Sequence, residues 1–154
     1  MDWSALRKHG MLDSTMIDYS KFKNALLHLQ DQYRHFETLD PNLPDFLQEA
    51  MAESVIQRFE TTWDCLWKVL KRYLVEEIGL PDVPNGPKPV LRLANENNLL
   101  PGDIERWIAH ANTRIATSHD YSGEKARKAL DVMGQFIVDA TALYQQLTGE
   151  AWDD

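Results

Sequence analysis

Apolar positions early in the chain recur at steps of three and four. Phe22, Leu26, Leu29, Tyr33 and Phe36 fall on one face of a helix predicted from Ile17 to Leu39. The stretch Leu39-Asp40-Pro41-Asn42-Leu43-Pro44 breaks it, because proline disfavours helical geometry at its own position and before it. From Asp45 to Ile78 the pattern is longer and wider. Val55, Phe59, Trp63, Leu66, Leu70 and Leu74 keep helical spacing, and Ile56, Trp67, Tyr73 and Ile78 widen the stripe. A stripe of that width implies burial against more than one neighbour. Such a helix is about 50 Å long at 1.5 Å per residue. Gly79 is placed to close it as a left-handed cap, and the proline-rich stretch from Pro81 to Pro89 reads as a loop.

Val90 to Asn97 reads as a short helix, with Leu91 and Ala94 on one side. Pro101-Gly102-Asp103 turns the chain, Asp103 offers an N-cap, and Ile104, Trp107, Ile108 and Ala111 carry the next helix. A last helix runs from a Ser122 cap to about Leu147 through Ala126, Leu130, Met133, Ile137, Ala140 and Tyr144, and Gly149 stops it. No segment alternates with period two for long enough to be a strand. The pattern predicts an all-α, up-and-down helical bundle with three long helices and one or two short ones. Residues 1–15 have no clear period and read as a flexible N-terminal extension. The helical domain is predicted over 16–149, with 150–154 a C-terminal tail.

The chain has 154 residues, enough for one ordinary domain with a real core. Its net charge of −8 argues against a protein that coats nucleic acid generally, although a small basic site on an acidic body stays open. One cysteine, Cys65, excludes an internal disulfide framework and suits a reducing cytoplasm. No run of apolar residues is long enough to span a membrane, and the N-terminus carries no apolar signal core.

Candidate chemistry is sparse. His28 and His35 are seven residues apart and lack the spacing and acidic or cysteine company of a metal pair, so they read as surface or boundary residues. No metal or cofactor motif is visible. Cys65, between Trp63 and Leu66-Trp67, reads as a buried inert thiol. Trp63, Trp67 and Trp107 could stack bases, but they fit apolar faces and core packing explains them. Glu60 and Asp64, four apart on one helix, could do acid–base work or face solvent.

The remaining constellation is Arg114-Ile115-Ala116-Thr117-Ser118-His119-Asp120-Tyr121, which holds a fixed cation, an imidazole and a phenol within eight residues. Arginine binds phosphate oxygens through a rigid fork of donors, and histidine moves protons near neutral pH. Together they suit phosphodiester cleavage. Five residues of ideal helix turn about 500°, so Arg114 and His119 would lie about 140° apart on a straight helix. Either the helix ends near Thr117-Ser118, or a second chain completes the site. A symmetric dimer would bring a second Arg114 and a second His119.

These residues resemble the nucleotidyltransferase substrate-binding proteins, a bacterial and archaeal branch of the HEPN superfamily. One stretch that carries the resemblance is Ser54-Val55-Ile56-Gln57-Arg58-Phe59-Glu60, with Trp67-Lys68 and Leu70-Lys71-Arg72-Tyr73-Leu74 following. The other is Trp107 followed by Arg114 to Tyr121, which matches the family pattern Arg-x4-His-x-Tyr. The resemblance covers about Tyr19 to Leu147. It implies a HEPN-like bundle and a homodimer whose Arg114 and His119 segments face each other. It also implies a metal-independent endoribonuclease, the toxin of a toxin–antitoxin pair. The antitoxin would be a minimal nucleotidyltransferase that silences the toxin by AMPylation of Tyr121. Glu60 and Asp64 match positions that are commonly acidic, and Glu60 would orient Arg114 across the helix interface. One departure stands out: Ile115 occupies a position that is often Asn, which puts ribonuclease activity in doubt. The alternative is a non-catalytic subunit that binds a substrate or nucleotide for its nucleotidyltransferase.

Overall fold

In a computed structural model, residues 16–119 and 123–152 are described, and they form six helices and no strand. They are α1 (Ser20–Glu37), α2 (Asp45–Glu76), α3 (Pro87–Glu96), α4 (Ile104–Thr117), α5 (Gly123–Asp131) and α6 (Met133–Thr148). Phe22, Leu26 and Leu29 of α1 are fully buried, as the spacing predicts. They face Phe59, Trp63, Leu66 and Leu70 of α2 and Phe136, Ala140 and Leu143 of α6 in one core. Removing a leucine side chain of this core from water contributes about 1.5–3 kcal/mol. Phe136 packs edge-on against Phe59, with ring centroids 4.9 Å apart, and 6.2 Å from Trp63.

Helix α2 spans the bundle in one piece. Its end is closed by Ile78 donating to the Tyr73 carbonyl and Leu80 to the Leu74 carbonyl, with Gly79 at φ +78°. That left-handed turn is open to glycine at little strain.

Two boundaries differ from the sequence pattern. α3 begins at Pro87, inside the stretch read as loop. Pro87 and Pro89 both fall in the first turn, where backbone N–H groups have no intrahelical partner to lose. The last helix is two helices, interrupted at Val132. Its halves serve different neighbours. Ala126 and Ala129 of α5 pack on Ile56 in a small separate cluster, while α6 enters the main core. No proline marks the break, and Gly134 falls just past it, in the first turn of α6. Beyond α6, Trp152 stacks edge-on against Tyr144 and donates to Gln30 at 3.2 Å. No helix among the described residues is long and apolar enough to cross a membrane.

Candidate functional site

Helix α4 carries the constellation, and three anchors position it. Asp103 caps it by accepting from the Glu105 backbone N–H at 3.0 Å. Trp107 is fully buried and donates its indole N–H to the Pro101 carbonyl at 2.7 Å. The third anchor is Asp139 of α6, buried in the core. Arg106 grips it with two bonds of 2.7 Å, from Nε and Nη2. His110 Nε2 lies 2.7 Å from Oδ2, and Gln135 donates to Oδ1 at 3.0 Å. A carboxylate only accepts, so His110 carries its proton on Nε2.

Burial pushes the Asp139 carboxyl up, but hydrogen bonds from Arg106, His110 and Gln135 outweigh it and hold the group below the usual carboxylate range. Burial also holds His110 below the ordinary histidine value, against the pull of its bond to Asp139. His110 is thus a core residue, which the sequence reading did not single out. It sits on the buried stripe of α4, in edge contact with Trp107 and Phe136. The signal that could have found it was a histidine between Trp107 and Ala111 on an apolar face, matched by an aspartate inside the apolar stripe of α6.

One turn beyond His110, Arg114 reaches across to α2. Its Nη1 donates to Glu60 Oε2 at 2.9 Å, and its Nη2 lies 3.5 Å from Asp64 Oδ2. Thr117 Oγ1 is 3.0 Å from both Glu60 Oε2 and the Arg114 carbonyl, and its single proton serves one at a time. The structure therefore brings Arg114, Glu60 and Asp64 together, with Thr117 as a member that sequence reasoning missed. Arg114 Nε is buried and has no hydrogen-bond partner among the described residues. Among the described residues, one guanidinium faces two carboxylates.

α4 ends at Thr117, where Ser118 and His119 close the turn by donating to the Ile115 and Ala116 carbonyls. This meets the condition that the helix stop near Thr117-Ser118. His119 is exposed just past the helix end. Ile115 is 50% exposed on the same helix. Tyr121 lies outside the described residues. Cys65 is half-buried rather than buried, and burial raises its thiol. Trp63 and Trp107 are core residues, and Trp67 packs on the core's edge. His28 and His35 are exposed, the latter 3.9 Å from Asp31.

Residues 17–149 match the family described as nucleotidyltransferase substrate binding protein like. The chain belongs to that family. A Haemophilus influenzae protein named "Probable ribonuclease HepT" is 32% identical over 106 residues, 68% of this chain and 72% of that protein. Another structure from Haemophilus influenzae is described as revealing the fold of a substrate binding domain of a nucleotidyltransferase. It superposes with a TM-score of 0.74 at 28% identity, covering 84% of this chain and 98% of that one. A Thermus thermophilus protein gives a TM-score of 0.69 at 27% identity, covering 82% and 98%. Family and helical fold thus agree with the resemblance read from the motifs.

Proposed function

We propose that the protein is a metal-independent endoribonuclease whose site is completed by a second copy of the chain. The observation that carries this reading is the placement of Arg114 and His119 at the end of α4. Arg114 is fixed by Glu60, and His119 lies exposed just beyond Thr117. A second copy facing the first adds its own Arg114 and a second histidine, so two guanidinium groups and two proton carriers can meet one phosphate. The exposed Ile115 gives that face an apolar contact.

In the reaction, one His119 takes the proton of an RNA 2′-hydroxyl. The 2′-oxygen attacks the adjacent phosphorus. The bond to the 5′-oxygen breaks, and that oxygen takes a proton from the other His119. The products are a 2′,3′-cyclic phosphate and a 5′-hydroxyl. Arg114 stabilises the charge that builds on the phosphoryl oxygens. DNA lacks the attacking hydroxyl and is not cut.

Tyr121 is the proposed regulatory group, with a minimal nucleotidyltransferase antitoxin as partner. Its phenol oxygen attacks the α-phosphorus of ATP, pyrophosphate leaves, and AMP remains two residues from His119. The added bulk and negative charge would exclude RNA phosphate. Both proteins would act in the cytoplasm. The HepT relative's name supports the ribonuclease reading, and the family's description supports the partner.

Ile115, exposed beside Arg114, favours a second reading. In it the chain is a non-catalytic subunit that presents a nucleotide to the transferase. Dilution separates the two. If two copies build one active site, specific RNA-cleaving activity falls as the protein is diluted through its dimer dissociation range. A clean dimer that never cuts RNA, yet raises the transferase's nucleotide affinity, establishes the second reading.

A further inference from the structure

Five grooves on the described surface differ in the charges that line them. Arg92 shares its groove with Asp82 and Glu96, Arg127 with Glu49 and Glu53, and Arg34 with Glu37. A fourth, at Leu39, Leu43 and Met51, has no charged lining. The fifth lies between α1 and α2 and has a volume of about 320 Å³. Lys21 and Arg58 line it with His28, Asn24 and Thr61, and no carboxylate does. Among the described residues, neither Lys21 nor Arg58 has a carboxylate within 4 Å. On a chain of net charge −8, a groove lined by two cations with no carboxylate within 4 Å of either is suited to an anion.

The spacing makes this a designed face of both helices. Lys21, Asn24 and His28 recur at steps of three and four on α1, and Arg58, Thr61 and Cys65 do the same on α2. The groove also adjoins the Arg114 site. Asp64, which touches Arg114, directly precedes Cys65, and the two lie about 100° apart round α2. Exposed Gln57, Thr61 and Lys68 continue the outer face of the helix between them. Thr61 gives its proton to the Gln57 carbonyl, which leaves its oxygen free to accept from a ribose hydroxyl.

We propose that this groove is a phosphate-binding subsite, where Lys21 and Arg58 hold backbone phosphates of the single-stranded RNA whose scissile phosphate sits at Arg114. The inference rests on the RNA-cleaving reading and deepens it. It names single-stranded RNA longer than the cut dinucleotide as the substrate class. The track runs from the end of α4 across α2 to α1.

The test uses a His119→Ala protein, which should bind RNA without cutting it, with and without Lys21→Gln and Arg58→Gln. Both added substitutions are at exposed positions, and circular dichroism verifies the fold. Binding of a fluorescein-labelled single-stranded RNA is followed by anisotropy across a salt series. Each lost contact flattens the log–log salt slope by about 0.7, so two flatten it by about 1.4 and weaken binding about 25-fold at 0.1 M salt. Cys65, the chain's one cysteine, lines the groove and reports on it directly. Saturating RNA should suppress its alkylation in the His119→Ala parent and not in the triple variant. An unchanged slope and unprotected Cys65, in protein that still cleaves RNA when His119 is intact, overturn the groove and leave the ribonuclease reading standing. Protein that neither cleaves nor binds RNA overturns both. Protection of Cys65 by millimolar AMP but not by RNA overturns the RNA track and identifies the groove as a mononucleotide site.

Discussion

Asp139→Asn changes the anchor of α4 while keeping its shape. In the native structure the carboxylate accepts four hydrogen bonds: two from Arg106, one from His110 and one from Gln135. Every partner is a donor. The substituted amide has one oxygen and one NH2 group, so one side of it must face donors with a donor. Arg106 donates to both oxygens, so a His110 tautomer change removes only the histidine's share of the clash, and the charge assistance is lost everywhere. Hydrogen bonds to a charged group contribute about 1.5–3 kcal/mol and neutral ones about 1, so the buried bond to His110 and the part-buried one to Gln135, with the amide mismatch, give a loss of about 3 kcal/mol. For a domain of this size that lowers Tm by about 6–12 °C.

The pH dependence carries a second signature. His110 titrates below its ordinary value of 6.5 when folded and Asp139 below 3.8. In both windows the unfolded chain binds more protons than the folded one. Stability is therefore full above about pH 6.5 and falls as pH drops, by at most about 1.4 kcal/mol per pH unit per group. His110→Gln should flatten the fall just below pH 6.5. Asp139→Asn removes the carboxylate that pulls His110 up, so that fall should extend to lower pH while the one below pH 4 flattens. Thermal melts by circular dichroism between pH 3 and 8 measure all three proteins. An Asp139→Asn protein that melts within 2 °C of the parent across that range would refute the buried clamp.

Gly102→Ala should act on the same clamp from outside. Gly102 has φ +77°, and an added Cβ would collide with the Arg106 guanidinium. A loss of about 1–2 kcal/mol in urea denaturation is expected from the left-handed conformation alone, and no loss would refute that conformation at Gly102. Glu60→Gln removes the stronger partner of Arg114 and a partner of Thr117. It should raise the KM for RNA or lower kcat by about tenfold while shifting the melting point little, and cleavage at parental rates would remove Glu60 from the site. Ile115→Asn places a hydrogen-bonding side chain beside Arg114 at an exposed position, so stability should hold within about 0.5 kcal/mol while RNA cleavage rises. Unchanged cleavage would absolve Ile115.

The legible parts of the fold are those written as periodicity. The stripes through Leu26 and Leu66 and the stops at Gly79 and Gly149 all follow from spacing and φ preference. The break at Val132 was not legible, because Ala126 and Ala129 continue the same helical phase and only Ile56 draws α5 aside. Pro87 and Pro89 looked like loop residues because a first helical turn tolerates proline without announcing itself. At the site, Arg114 and His119 stood out as residue types that act on phosphate, and Glu60 through its matching position. Asp139 and His110 were hidden by distance, since Asp139 and Arg106 are 33 residues apart and no local pattern pairs them. The groove residues Lys21 and Arg58 come from two helices whose packing, not whose sequence, sets them together.

The central claim is RNA cleavage by Arg114 and His119 without metal. Purified chain, shown by intact mass to carry no AMP on Tyr121, is incubated with RNA in EDTA beside a His119→Ala control. The account predicts cleavage to 2′,3′-cyclic phosphate ends that falls by about 10²–10⁴ in the control. Intact RNA with clean dimeric protein, or equal cleavage by the control, would contradict it.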